Sequence, residues 1–272
     1  MATLQEALET IEDGVYRHVI NISGGKDSAA LAVYIAQEYP QIPAEYVFCD
    51  TGVELPETYE YLERLEAILG QEIKRLNSLD LLGIKRKPNR NPFDIWLREY
   101  YGGYLPNQSA RWCTRVLKIQ PFEAYIGKDK AFSYLGIRGD EDREGYLGKD
   151  NKPPKISEKN NIIPVYPFKD CDIGIAKVKS LLEANGIGWP EYYKWRSRSG
   201  CYFCFYQQIG EWQGLKENHP ELFEKAKTYE KIEAGNKITW NRDRSLEQLE
   251  AIVKRYNVKN PDNIDGCAVC HL

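Results

Sequence analysis

The sequence has no apolar run approaching the roughly 20 residues that a membrane-spanning helix needs. It has no basic excess either: 37 Lys and Arg stand against 40 Asp and Glu, for a net charge of −3. A chain-wide positive field for DNA or RNA is thereby excluded, so a nucleic acid must meet a local patch or arrive with a partner. Residues Met1–Thr10 are acidic and amphipathic and lack the apolar centre of a secretory signal. Low-complexity segments are absent. The Gly, four residues, Gly-Lys-Ser/Thr spacing of the common phosphate loop is absent too. The 7 cysteines are an odd number, which argues against a disulfide framework and for metal or redox use. Together these features predict a soluble, cytoplasmic protein. At 272 residues and 42% hydrophobic content, it suits one large domain or an α/β domain with a smaller appendage.

The most informative stretch is Ser23-Gly24-Gly25-Lys26-Asp27-Ser28. Before it, His18–Ile22 is apolar and β-branched and reads as a buried strand. After it, Ala29–Ala36 is a run of good helix formers. The six residues therefore fall on a strand-to-helix turn. There, two glycines let a ligand approach the backbone, and the first helical N–H groups face an anion. Ser23 and Ser28 add hydroxyls and Lys26 adds charge.

The six-residue order resembles the pyrophosphate loop of the ATP pyrophosphatase superfamily. Its members cut ATP between the α and β phosphates or bind an adenylyl sulfate in the same cradle. Further along, a strand over 44–49 leads to Asp50-Thr51-Gly52-Val53-Glu54-Leu55-Pro56-Glu57-Thr58. This string resembles the second motif of the phosphoadenylyl-sulfate (PAPS) reductases; the competing reading is that Asp50 and Thr51 cap the next helix. That helix, 56–69, opens on Pro56 and stops at Gly70, and a third strand is predicted at 73–76. The β-α-β-α-β order predicts a Rossmann-like parallel sheet covered by helices, with ligands at the carboxyl ends of the strands.

Residues 77–110 mix basic and aromatic side chains and read as a loop over the site mouth, suited to a phosphodiester or to solvent. Arg111-Trp112-Cys113-Thr114-Arg115, with Lys118 and Pro121, resembles the Cys-Cys…Lys…Pro segment of adenylyl-sulfate (APS) reductases, in which the Cys pair binds an iron–sulfur cluster. Here Trp112 stands in place of the first Cys, and the form looks more like the sulfurtransferases of DNA phosphorothioation. Residues 131–143 predict a strand ending in Gly136-Ile137-Arg138; the resembling family carries Gly-x-Arg here, with its Arg at the nucleotide. Residues 145–161 read as a flexible excursion, 162–168 as extended, and 172–185 as a helix ending at Gly186. His18 reads as a strand-edge residue, His219 as a helix cap, and Cys49 as a buried small apolar residue. Ser245 with Gln248 forms the pattern of a capping box.

Two C-x-x-C pairs, Cys201/Cys204 and Cys267/Cys270, signal metal. Four sulfurs from the two pairs suit Zn2+; alternatively Cys113, Cys201, Cys204 and Cys270 suit a [4Fe-4S] cluster, with Cys267 spare as a persulfide carrier. The resemblance favours the cluster. The expected division is a nucleotide-binding α/β domain over 1–198 and a small helical, cysteine-containing region over 199–272.

The resemblance implies ATP bound through Ser23, Gly24, Gly25, Lys26, Asp27 and Ser28. Asp50, Thr51, Gly136 and Arg138 would sit beside the nucleotide. Lys26 would hold pyrophosphate, Asp27 would hold Mg2+ and Arg138 would steady the α-phosphate. It further implies adenylylation of an acceptor, expected to be nucleic acid, followed by sulfur insertion. A sulfur donor such as a cysteine desulfurase and partner proteins of a modification or defence system are the expected company. Two alternatives stay open: a PAPS or APS reductase forming sulfite, and a non-catalytic ATP-binding subunit.

Overall fold

The computed structural model describes residues 1–141, 157, 159–198, 200–233 and 236–258. A short helix α1 (Leu4–Glu9) carries a Thr3/Glu6 capping box and leads into β1 (Tyr16–Ile22). The chain then alternates through α2 (Lys26–Glu38), β2 (Ala44–Asp50), α3 (Pro56–Leu69) and β3 (Ile73–Asn77). It next crosses to the other side of β1 for β4 (Lys130–Tyr134) and β5 (Ile162–Val165). The sheet is parallel throughout, in the order β3-β2-β1-β4-β5. The winding reverses between β1 and β4, which opens the crevice where such sheets bind ligands. The motif loop follows β1 and Gly136–Arg138 follows β4, so both lie at that crevice.

Burial explains the strand pattern. β1 is apolar on both faces because helices cover both. One face packs Ile20, Ile22, Phe48 and Phe132 under α2, α3 and α9 (Ile175–Ala184). The other packs Val19, Val47, Cys49 and Leu76 against Phe122 and Ile126. Cys49 is buried as the sequence predicts. His18 is not at an edge: β1 is the central strand, His18 is 1% exposed, and its Nδ1 lies 2.8 Å from the Tyr134 hydroxyl.

Between β3 and β4 the expected loop is partly helical. It holds α4 (Ser78–Leu81), α5 (Pro92–Ile95) with a π-helical turn over Trp96–Tyr100, α6 (Trp112–Thr114) with a π-helical turn over Arg115–Ile119, and α7 (Gln120–Ile126). Asn91 caps α5 by accepting from Asp94 N at 2.8 Å, and Pro92 opens it, a start signal masked by the surrounding polar composition. The strand predicted over 162–168 stops at Val165, because Pro167 begins α8 (Pro167–Asp170). The helix predicted from 172 starts at Ile175, since Asp172 sits at φ 50.

A second, aromatic core joins residues 53–117 to residues 192–252, with Phe93, Trp112, Phe203, Trp212 and Trp240 at its centre. It holds α10 (Ile209–Asn218), α11 (Pro220–Lys227) and α12 (Leu246–Glu250), with a β-hairpin of β6 (Lys231–Glu233) and β7 (Asn236–Ile238) that the helical reading missed. The Ser245/Gln248 capping box forms. His219 is the cap residue shared by α10 and α11, as the sequence predicts; it caps through its backbone, while its ring meets Glu57 Oε1 at 2.8 Å. Most of the predicted excursion over 145–161, and both Cys267 and Cys270, lie outside the described residues.

Candidate active site

The motif loop folds onto itself. Ser23 N donates to Ser28 Oγ at 3.0 Å, the two hydroxyls are 3.0 Å apart, and Ser28 Oγ donates to the Gly25 carbonyl at 3.1 Å. Gly25 is the N-cap of α2 and gives its first turn no side-chain bond, so these N–H groups keep the anion-binding character of a helix start. Gly24 has φ 75, and a Cβ there would stand 2.4 Å from Thr58 Cγ2. Only glycine fits that corner. Gly136 backs the loop from β4: a Cβ on it would lie 2.8 Å from the Asp27 carbonyl oxygen.

The charged groups of the loop are buried and paired. Lys26 Nζ lies 3.0 Å from Asp27 Oδ2, and Arg138 Nη1 lies 2.9 Å from Asp27 Oδ1. Arg138 also reaches Asp140 at 2.9 Å. Burial pushes the Lys26 ammonium below its usual pKa, against the pull of Asp27. Burial opposes the charge on Arg138, yet Asp27 outweighs it and holds the guanidinium above its usual range. Both Asp27 oxygens are therefore engaged, and a Mg2+ role for Asp27 requires it to exchange a cation partner.

Asp50 ends β2 beside this loop. Its Oδ1 accepts from Gly52 N and from the Tyr59 hydroxyl, each at 2.8 Å, so it closes its own turn while Leu55 is the N-cap of α3. Thr51 points the other way: its hydroxyl donates to Glu54 Oε1 at 2.8 Å and lies 3.5 Å from Cys201 Sγ. Glu54 and Cys201 also form a backbone bridge.

Beyond Thr51 lies a small cavity of about 40 Å³, lined by Cys113, Cys201, Cys204, Lys118 and Tyr206 among others. Three sulfurs from distant parts of the chain thus line one apolar pocket. Among the described residues no group of three His, Cys, Asp or Glu is close enough to hold a single metal ion. Burial, with the Glu54 carboxylate behind it, pushes the Cys201 thiol well above its ordinary pKa.

Residues 17–214 match the phosphoadenosine phosphosulfate reductase domain. The chain belongs to that family. An uncharacterized relative of this reductase-domain chain in Methanocaldococcus jannaschii is 26% identical over 212 residues. That match takes in 76% of this chain and spans only 40% of the relative's length. Among solved structures, the phosphoadenylyl-sulfate reductase from Candida auris in its phosphate complex gives a TM-score of 0.49 at 15% identity, covering 74% of this chain and 88% of that one. The U34-tRNA thiolase NcsA from Methanococcus maripaludis with its [4Fe-4S] cluster gives 0.41 at 17% identity, covering 94% and 90%.

Sequence reasoning missed what covers the loop of this family member. The short 3-10 turn Glu191–Lys194 brings the Tyr192 hydroxyl to donate to the Gly24 carbonyl at 2.6 Å. The rings of Tyr193 and Trp189 stand 5.3 and 5.6 Å from Lys26 Nζ. Glu54 and Arg196 were missed as well, and both are buried, as is Lys118 of the Arg111–Lys118 string. The usable signal was the aromatic run Trp189–Trp195 directly before the Cys201/Cys204 pair.

Proposed function

We propose that this protein is an ATP-dependent sulfurtransferase that adenylylates an acceptor and lets sulfur replace the adenylate. One observation carries the reading: short connections tie the phosphate-type loop to the cysteine pocket. Thr51 joins β2 to Cys201, and the segment 192–204 touches Gly24 at one end and supplies Cys201 and Cys204 at the other.

ATP lies with its β,γ-pyrophosphate on the loop N–H groups, Ser23, Ser28 and Lys26. An acceptor oxygen attacks the α-phosphorus, the α–β bridging P–O bond breaks, and pyrophosphate leaves. Arg138, turned from Asp27, steadies the charge on the α-phosphoryl oxygens, as preorganised cations do. Sulfur at the oxidation level of sulfide then attacks the activated acceptor atom, and AMP departs with the bonding electrons. No reductant is needed at that oxidation level.

Cys113, Cys201 and Cys204 would hold a [4Fe-4S] cluster, with Cys270 as the proposed fourth ligand. The donor set fits. A single zinc ion needs its sulfurs about 2.3 Å from one point, whereas a cluster spreads them over several irons. Cys113, which the zinc reading leaves out, lines the pocket with Cys201 and Cys204 and so supports the cluster. When bound, the cluster supplies a thiophilic iron for inorganic sulfur. The cavity of about 40 Å³ has to open to admit it. At its mouth, Arg111 Nη1 lies 3.4 Å from the Tyr206 hydroxyl and Arg198 stands 5.5 Å from the Tyr206 ring. A cationic, aromatic rim supports a nucleic-acid acceptor. A cysteine desulfurase-type donor, whose persulfide sulfur is brought to the sulfide level by two electrons from a thiol reductant, and partner proteins of a modification or defence system complete the proposal.

The family match keeps a second reading in play, reduction of PAPS or APS to sulfite. Anaerobic protein is given ATP or PAPS, and pyrophosphate and sulfite are measured. Pyrophosphate from ATP that disappears in Lys26→Ala supports the transferase. Sulfite from PAPS without pyrophosphate from ATP replaces it with the reductase. A brown absorption band and bound iron, both lost in Cys201→Ala, support the cluster; zinc in their place overturns it.

A further inference from the structure

We propose that Arg196 is a second oxyanion-binding residue of the nucleotide, holding the α-phosphate or the group joined to it. This rests on the nucleotide reading above. Two large arginines are almost wholly buried, and they differ in one respect. Arg138 has Asp27 and Asp140 at 2.9 Å. Arg196 is 1% exposed, and among the described residues it forms no ion pair. Its Nη2 donates to the Cys201 carbonyl at 2.7 Å, while Nε and Nη1 have no acceptor. Burial raises the pKa of the Glu54 carboxyl, and the Arg196 charge offsets this only in part, with no ion pair between them among the described residues. Burying a guanidinium with two open donors is costly unless an anion completes it. The two open groups diverge, because Nε shares its fork with the Nη2 that holds the Cys201 carbonyl and Nη1 faces the other side, so each can donate singly to an oxygen of a phosphate or sulfonate.

The backbone fixes where that guanidinium stands. Arg196 N donates to the Tyr192 carbonyl at 2.9 Å, and the Tyr192 hydroxyl holds Gly24. Ser197 is bound through its N and Oγ to the buried Glu211 carboxylate at 2.7 and 2.6 Å. Arg196 therefore sits between the loop and Cys201. With β and γ phosphates on the loop, the α-phosphoryl group and its substituent extend toward the sulfur. A rigid, unpartnered cation on that path is preorganised for them.

The test is calorimetric titration of wild type, Arg196→Gln and Arg196→Lys with ATP, AMP, adenylyl sulfate and adenosine. Arg196→Gln is expected to weaken AMP about tenfold or more, the loss of a charge-assisted bond, and to leave adenosine unchanged. Arg196→Lys, a point charge without the spread donors of a guanidinium, is expected to fall between and serves as the folded comparator if the Gln variant melts early. A loss confined to adenylyl sulfate supports the oxyanion site and assigns it to the sulfonyl group. Equal losses for AMP and adenosine, or no loss, overturn the inference while ATP binding still upholds the loop. Wild type that binds no ATP ends both.

Discussion

The Lys26 ammonium has exchanged water for one carboxylate and two aromatic faces, and Asp27 shares its charge with Arg138. Because Asp27 keeps Arg138, Lys26→Met is expected to cost no more than about 1–2 kcal/mol of stability. It is also expected to abolish pyrophosphate release from ATP. Urea unfolding and a pyrophosphate assay on the same preparation check both; release at the wild-type rate removes Lys26 from the site. At the opposite end of the sheet, Arg17 grips Glu45 through two bonds of 2.8 Å and holds its carboxyl at about 2, against an ordinary 4.5. The unfolded chain takes up that proton more readily, so the stabilisation is complete above pH 4.5 and is lost as pH falls toward 2. Both side chains are about a quarter exposed, and the partly screened contribution is about 1 kcal/mol. Glu45→Gln should lower stability at pH 7 by that amount and flatten the acid limb of a pH–stability curve. A curve that is merely displaced, with the same slope between pH 2 and 4.5, contradicts this.

Two turns carry the argument at the level of elements. Gly24 joins β1 to α2 in a left-handed corner against Thr58. Gly24→Ala should destabilise by more than about 1 kcal/mol, from backbone strain and from the clash with Thr58 Cγ2. Adding Thr58→Ser removes that methyl and should restore only the clash part. Full restoration would mean the φ angle is not strained. At the other end, Ser245 and Gln248 cap the short helix α12. Ser245→Ala is expected to cost about 1 kcal/mol, and thermal melts measure it. The two π-helical turns at Trp96–Tyr100 and Arg115–Ile119 were not legible beforehand. They depend on how Trp96, Trp112 and Leu117 pack into the aromatic core, and hydrophobic periodicity carries no mark of it.

The whole molecule shows the loop covered. Lys26 is fully buried, and Trp189, Tyr192 and Tyr193 lie over or against the loop. A nucleotide reaching Lys26 must displace that segment, which also carries the chain to Arg196 and Cys201. Loading the loop would thereby be felt at the sulfur pocket, through the contiguous packing of that segment. ATP is expected to change tryptophan emission, with most of the change lost in Trp189→Phe. A signal identical in the two proteins would show that the loop fills without moving residues 189–193.

Short-range chemistry was readable from the residues in order. Strand, glycine corner and helix are set by local sterics and by an apolar run buried on both faces, so β1, α2, β2, α3 and β3 emerged near their observed bounds. The clustering of Ser23–Ser28 with Arg138 followed from the parallel order, because every strand delivers its carboxyl end to one edge. Partnership was decided only by the folded chain. That Asp27 neutralises two cations, that Thr51 faces a cysteine 150 residues away, and that Arg196 is buried with two donors open depend on contacts between distant segments. Burial sets what each such charge costs and which neighbour answers it, and burial is a property of the packed whole.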